Sequence, residues 1–358
     1  MKKICVSAAL IVAAGLTHAQ SAITLYGIVD TGVEYYDHAA GGGSFAGMPS
    51  LTGEVPSRFG LRGSEDLGGG YEAFFVLENG FAVDTGSLNL YGGRLFGRQA
   101  NVGVSGAPGT LTLGRQMNMT MYALQNADVI GPSLHSMATF DSYLPNARSD
   151  NAIGYMGKFD GFTVGGTYSF GRDAAGPEGP AATNCSGQVP GNILACRQYT
   201  ALLAYDAAHF GVAASYDVMR GGAGASAPLS NSAYTDTRTI ADGYVKYGDV
   251  KAGAGWLRRN TSAATHTQSD LYFLGVTYSF SPAVSFDGQV AHYELRNQYN
   301  SNLLVARANY FLSRRTTLYT SVGYMLNGRL AAEPVAVGGS VETGMNQVGV
   351  MLGIQQRF

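Results

Sequence analysis

Charged side chains are scarce in this chain of 358 residues. Asp, Glu, Lys and Arg together make up 13% of it, roughly half of their share in ordinary soluble domains. After residue 19 there is no run of ~18 uninterrupted apolar residues, which excludes a transmembrane helix beyond that point. The formal net charge of −2 gives no indication of a nucleic-acid partner. Glycine and tyrosine are abundant instead, with 50 and 22 residues, and this combination suits a sheet whose outer face meets lipid.

The N-terminus has the pattern of a bacterial secretory signal peptide. Lys2 and Lys3 form a basic start, an apolar run follows over residues 4–16, and Ala19 is a small residue at the expected cleavage site. The apolar run is too short for a membrane-spanning helix, which needs ~20 residues. We therefore predict a signal peptide over residues 1–19 and an exported mature chain over residues 20–358.

Cysteine is nearly absent as well. Cys5 lies within the predicted signal peptide, which leaves Cys185 and Cys196 in one loop that is rich in glycine and proline. In an exported protein such a pair is expected to form a disulfide that closes the loop. Two free thiols are the alternative.

Catalytic signatures are missing too. The histidines of the mature chain have no metal-ligand spacing, and neither Gly-x-Ser-x-Gly nor His-Glu-x-x-His occurs. His135, with Ser136 and Asp141 nearby in sequence, is interpreted as a polar residue of a loop rather than as part of a triad. We predict no enzyme, no catalytic or metal site and no cofactor.

Most of the mature chain alternates with a period of two, which predicts half-exposed strands. In the last strand the apolar residues share one face: Val348, Val350, Leu352 and Ile354. Residues 23–35 alternate in the same way, and pairing of the two ends would close the sheet and remove its edges. Seven short connections alternate with eight long ones, as in outer-membrane barrels. The short ones are 65–70, 106–109, 160–161, 206–209, 248–249, 281–283 and 313–316, and the sixth long one is 259–269. This rhythm predicts an all-β, 16-stranded antiparallel transmembrane barrel; a soluble β-sandwich is the alternative.

Residues 117–149 do not alternate. They follow the sixth predicted strand and form the third long connection. Structureless connections longer than ~12–15 residues are uncommon in compact domains and are usually functional. We predict that this third loop folds into the space that the strands enclose.

Four segments are familiar from one family: SAITLYGIVDTGVEYY at 21–36, SRFGLRGSEDLGGGYEAFFVLENGF at 57–81, GRLFGRQANVGVSGAPGTLTLGRQ at 93–116 and RSDNAIGYMGKFDGF at 148–162. With the terminal Phe358 they resemble the Gram-negative trimeric general porins. The resemblance implies a homotrimer in the outer membrane, surrounded by lipid and lipopolysaccharide. It also implies passive diffusion of inorganic ions and small hydrophilic solutes, a third loop that narrows each pore, and recognition of Phe358 by the assembly machinery.

Charged residues around the third loop are the predicted pore constriction. Arg58 and Arg62 have the parity opposite to Phe59 and Leu61, so they should face the lumen; the parity of Arg94 leaves its direction open. Arg115 and Arg148 flank the loop. The resemblance places Arg58, Arg98 and Arg148 in a wall cluster, with Arg62 and Arg115 close by.

The loop offers few acids to face these arginines. The resemblance makes Asp128 a constriction carboxylate, Asp141 is a weaker candidate, and Asp150 could pair with Arg148. The family's second loop acid is missing, and Val129-Ile130-Gly131-Pro132-Ser133 stands in its place. Arginines that outnumber acids favour a general diffusion pore with mild anion preference. A substrate-specific channel for a sugar or an organic acid, or an outer-membrane hydrolase, are the alternatives.

A trimer is also suggested by small residues near the N-terminus. We expect Gly27, Gly60, Gly97 and Gly103 to face outward. A bare outer face would permit the close approach of another subunit.

Overall fold

The computed structural model describes residues 22–50, 52–88, 93–173 and 182–358. The predicted signal peptide lies outside the described residues. The strands are β1 (Ala22–Tyr36), β2 (Phe45–Gly47), β3 (Arg58–Gly68), β4 (Tyr71–Gly80), β5 (Gln99–Gly106), β6 (Gly109–Met117), β7 (Arg148–Phe159), β8 (Phe162–Ser169), β9 (Gln198–Asp206), β10 (Phe210–Arg220), β11 (Thr235–Tyr247), β12 (Val250–Ser262), β13 (His266–Ser281), β14 (Val284–Leu295), β15 (Tyr299–Phe311), β16 (Thr316–Asn327) and β17 (Gln347–Arg357). No helix among these described residues is long and apolar enough to cross a membrane.

The strands form a closed antiparallel barrel. β2 is a short strand inside the first long loop, where it pairs with the end of β1, so the wall itself has sixteen strands. β1 pairs with β3 on one side and with β17 on the other, with Val33 opposite Leu352. Pairing of the two ends confirms the predicted closure, and the β-sandwich alternative is wrong.

Alternation along each strand separates an apolar outside from a polar inside. In β17, Leu352 is 63% exposed on the outer face, whereas Gln355 is only 2% exposed on the inner face. In β1, Val33 is 63% exposed and Glu34 is 3% exposed. Apolar side chains that point away from the interior are the reverse of a soluble core, and they match a wall that meets lipid.

Each of the seven predicted short connections falls at a turn between consecutive strands, but the first, predicted over residues 65–70, is shorter because β3 continues to Gly68. The sixth long loop was predicted over residues 259–269, and this is wrong: β12 continues to Ser262 and β13 begins at His266. The two strands keep pairing past Arg259, opposite Ser269. Polar residues in this part of the hairpin were interpreted as a loop, although they can pair as well as apolar ones.

The third loop fills part of the interior. It contains a short helix, α1 (Met119–Leu124), and two 3-10 turns at Met137–Thr139 and Leu144–Asn146. Its apolar residues pack against inward-facing residues of the wall, including Ile240, Leu271 and Met351. The largest apolar cluster of the described residues therefore lies inside the barrel, between the loop and the wall.

Candidate functional site

The third loop is fixed to the wall where it starts. Asn118 caps α1 by accepting a hydrogen bond from the Thr120 amide (3.2 Å), and the Thr120 hydroxyl donates to Asp217 on β10 (2.8 Å). Tyr143, from the end of the loop, donates to the same carboxylate and accepts hydrogen bonds from Asn118 and Gln198 (2.6 Å each). These bonds hold both ends of the loop on β9 and β10.

The middle of the loop lies directly on β12–β15. Arg307 donates to the carbonyl oxygens of Ile130 (3.0 Å) and Val129 (3.2 Å). Gly253 faces the loop so closely that a Cβ there would lie 2.0 Å from the Ala127 carbonyl oxygen. Only glycine leaves room for this approach.

Asp141 fastens the loop to β11 and β12. Arg238 donates to both of its carboxylate oxygens (2.7 and 3.1 Å), and Arg238 also bonds Asp236 (3.3 Å), which Arg259 contacts at 2.8 Å. Burial alone would raise the pKa of Asp141, but the Arg238 and Arg259 guanidiniums lower it to about 2. The Arg238, Arg259 and Arg307 side chains with their acids are called the anchoring wall below.

Asp141 was predicted in the constriction, and the structure places it elsewhere. It lines a separate cavity of about 160 Å³ together with Arg172, Arg238 and Arg259. The ion pair with Arg238 explains the difference, because Arg238 holds the Asp141 carboxylate on the anchoring wall. Arg238 is distant from Asp141 in the sequence, so spacing within the loop does not predict this pairing.

His135 is not a polar lining residue either. Its side chain is fully buried, with Nδ1 at 2.9 Å from the Ser321 hydroxyl and Nε2 at 3.5 Å from Glu34. It fits against Gly323 and Gly349 of the wall, so it belongs to the packing of the loop.

A cavity of about 300 Å³ remains between the loop and the wall on the other side. The side chains that line it include Arg58, Arg98 and Arg148 from the wall and Asp128 from the loop. Asp128 is half-buried, accepts a hydrogen bond from the Gly131 amide (3.0 Å), and has its pKa raised by burial. This cavity brings together the three arginines and the acid that the resemblance singled out. Arg58, Arg98 and Arg148 are called the basic wall below.

Glu78 on β4 was missed by the sequence analysis. It lies 2.7 Å from Arg98 and 3.7 Å from Arg58, and it accepts a hydrogen bond from the Tyr26 hydroxyl (3.0 Å). Glu78 is opposite Gly60, which has the same parity as Arg58 and Arg62 and so lies on the same face; parity along β4 was therefore the available signal. Arg148 donates to the Pro145 carbonyl (3.2 Å).

Arg62 and Arg115 do not line this cavity. Arg62 is exposed and stacks over the Tyr26 ring at 5.4 Å. Arg115 forms an ion pair with Asp150. Arg94 contacts the same carboxylate at 3.1 Å and also contacts Asp173 at 2.7 Å. A shift of register after Gly114 interrupts the alternation here, so position next to the loop did not predict direction.

Two further predicted features lie away from the cavity. Cys185 and Cys196 are joined by a disulfide in the fourth long loop, with an S–S distance of 2.05 Å. Phe358 pairs through its backbone with Gly27 (3.1 Å), and its side chain is 48% exposed.

The predicted outward direction holds for Gly27 but is wrong for Gly60 and Gly103. Gly60 and Gly103 lie on the inner face, where the rings of Tyr26 and Phe74 cover them. The space outside Gly27 is taken by the Phe358 ring of the same chain, and Gly97 lies in a loop. Aromatic rings on neighbouring strands need these glycines, which a sequence pattern does not reveal.

Comparison with known proteins gives a consistent result. The family model described as Gram-negative porin matches residues 6–330. The chain is 31% identical to outer membrane porin protein 32 of Delftia acidovorans over the full length of both chains. It is 36% identical to an outer membrane porin protein of Bordetella pertussis over 61% of this chain and 59% of that protein.

Among solved structures, an anion-selective porin from Comamonas acidovorans superimposes with a TM-score of 0.79 at 24% identity, covering 95% of this chain and 100% of that one. The barrel with its inward loop, the family match and the full-length relative agree. The chain therefore belongs to the Gram-negative porin family: it is an outer-membrane porin, a channel for passive diffusion and not an enzyme.

Proposed function

We propose that this porin prefers anions and that the basic wall sets the preference. One observation carries the proposal: among the described residues that line the narrow cavity, three are arginines and one is a carboxylate. Fixed charge inside a narrow pore with low-dielectric walls focuses the field and raises the local concentration of the opposite ion. Glu78 offsets part of the positive charge, so the preference is mild.

A reversal potential in a planar bilayer tests this preference. Under a KCl gradient the reversal potential should lie toward the chloride equilibrium potential. The shift should shrink as the salt concentration rises, because the Debye length falls from about 10 Å at 0.1 M to about 3 Å at 1 M. A reversal potential on the potassium side would reject the proposal.

A sugar-specific channel receives less support. Such a channel needs aromatic ring faces along the path, and the loop offers Tyr122, Phe140 and Tyr143. Phe140 stacks on Tyr293 with ring centroids 5.0 Å apart, and Tyr143 is buried. Of the three, only Tyr122 lines the cavity.

We also propose that the porin assembles as a homotrimer, with β1, β5, β6 and β17 at the subunit interface. Exposed apolar residues on these strands are almost all aliphatic, such as Leu25, Val102, Leu113 and Leu352. Exposed Tyr and Phe are concentrated on the strands from β7 to β16, where aromatic girdles would meet the membrane interfaces. The mass of the detergent-solubilised porin tests this assembly. A trimeric mass is expected, and a monomeric mass would contradict the proposal.

The remaining partners follow from the outer wall. Lipid and lipopolysaccharide would surround the aromatic strands, and the exposed terminal Phe358 would serve as the assembly signal. Deleting Phe358 should lower the amount of assembled porin in the outer membrane without changing its synthesis.

A further inference from the structure

The narrow cavity has two unlike sides. Arg58, Arg98 and Arg148 line the wall side; Arg58 is partly exposed, and Arg98 and Arg148 are largely buried. The loop side is largely apolar: Met121 and Tyr122 of α1 are partly exposed there, whereas Leu124, Met137 and Leu144 are almost fully buried. Apolar surface of this kind gains free energy by contact with apolar groups, whereas hydrated inorganic ions gain nothing from it.

The chemistry of the two sides fits one kind of solute. An arginine presents a planar fork of donors that matches a carboxylate and can bond it in bidentate fashion. Methionine is flexible and polarizable, and its sulfur makes favourable contacts with aromatic rings. Both surfaces lie across the same cavity of about 300 Å³, which reaches the lower end of the usual volume of small-molecule sites.

Asp128 narrows the choice further. It is the one charged side chain that the described part of the loop contributes to this cavity. A second carboxylate on the solute would therefore lie against apolar side chains or near this acid, and both positions are unfavourable. The arrangement favours a single negative charge at one end of the solute.

We propose that this cavity is a binding subsite for monocarboxylates with a compact apolar body, such as a single aromatic ring. The carboxylate lies on the basic wall and the ring lies on Met121 and Tyr122. This inference rests on the anion preference proposed above and deepens it, because it names the class of anion that the pore retains longest.

Block of the chloride current by added organic anions tests the subsite. Wild-type porin in planar bilayers is titrated with benzoate and, separately, with gluconate, which also carries one carboxylate but has a hydrophilic body. Benzoate should half-block the current at a concentration about tenfold lower than gluconate, since burying even part of the ring surface is enough for that factor.

Variants locate the effect. Met121→Gln keeps the length of the side chain but makes it polar, so the preference for benzoate over gluconate should fall to about one- to threefold. Met117→Gln, on the wall beside the same cavity, gives a second variant if the first does not assemble. Met345→Gln is the control, because Met345 is 41% exposed in the last long loop, and it should keep the wild-type ratio.

The two proposals fail in different ways. If wild-type porin is anion-preferring in KCl but benzoate blocks no better than gluconate, the subsite is rejected and the anion preference stands. An unchanged benzoate ratio in both methionine variants also rejects the subsite. Cation preference of the wild type in KCl rejects the anion preference itself.

Discussion

Arginines line two opposite parts of this barrel and do different work there. In the anchoring wall, Arg238 is buried between Asp141 and Asp236, and Arg307 lies between Asp287 (2.8 Å) and Glu54 (3.4 Å). Each of these guanidiniums has acids on its own side of the pore and also holds the third loop in place.

The basic wall has a different balance of charge. Arg58 and Arg98 share Glu78, and all three arginines of this wall still contribute to the lining of the cavity. The position of acids, rather than the number of arginines, therefore separates the two roles. Where acids match the cations the loop is fixed; at the basic wall, where arginines outnumber acids, we propose that solutes meet a positive surface.

Removing an anchoring cation should have the largest effect. Arg238→Ala leaves Asp141 without its main partner in a buried position, and breaking such a pair costs about 3–5 kcal/mol. The free energy of unfolding, measured by denaturant titration in detergent, should fall by that order, and the single-channel conductance should rise or become noisy as the loop loosens.

Arg314→Ala is the matched control for this change. Arg314 is exposed in the short turn after β15, and such a substitution should stay within about 0.5 kcal/mol of wild type. Equal unfolding midpoints for Arg238→Ala and Arg314→Ala would show that the loop does not depend on the anchoring wall.

Changing the basic wall should alter selectivity more than stability. Replacing Arg58, Arg98 and Arg148 by Gln, together with Glu78→Gln so that no buried carboxylate loses its partners, should reduce the chloride-to-potassium permeability ratio severalfold. Glu78→Gln alone should raise the ratio, because it removes the acid of this wall.

Opposite signs for these two variants are hard to obtain from a general disturbance of the pore. Arg62→Gln serves as the control on the same strand, since Arg62 lies outside the cavity, and its ratio should stay close to wild type. If Arg62→Gln changed the permeability ratio as much as the combined arginine substitutions do, the constriction would lie nearer to the short-turn end of the barrel than the cavity does.

Sequence pattern predicted the barrel well because two-residue alternation is a property of each strand by itself. The arginines of the basic wall were also predictable, since Arg58 follows from parity and Arg98 from resemblance. The anchoring wall was not: Arg238 and Asp141 are 97 residues apart, and no local pattern pairs them. The same limit explains His135 and the glycines, whose role depends on what the folded loop or a neighbouring ring places against them.

Acidification should increase the difference in charge between the two walls. The effect on anion preference should be smaller than that of the substitutions above. Burial raises the pKa of Asp128 above the ordinary aspartate value, so this carboxylate takes up its proton at a higher pH than an exposed aspartate does. As the pH falls through the raised pKa of Asp128, the cavity loses a negative charge and anion preference should increase. Asp141 has a pKa of about 2 and stays charged, so its ion pair with Arg238 persists. Reversal potentials recorded from pH 7 to 4 should therefore drift in wild type and stay flat in Asp128→Asn, which fixes the neutral form while keeping an oxygen acceptor for the Gly131 amide. A drift of equal size in the variant would assign the titration to another group.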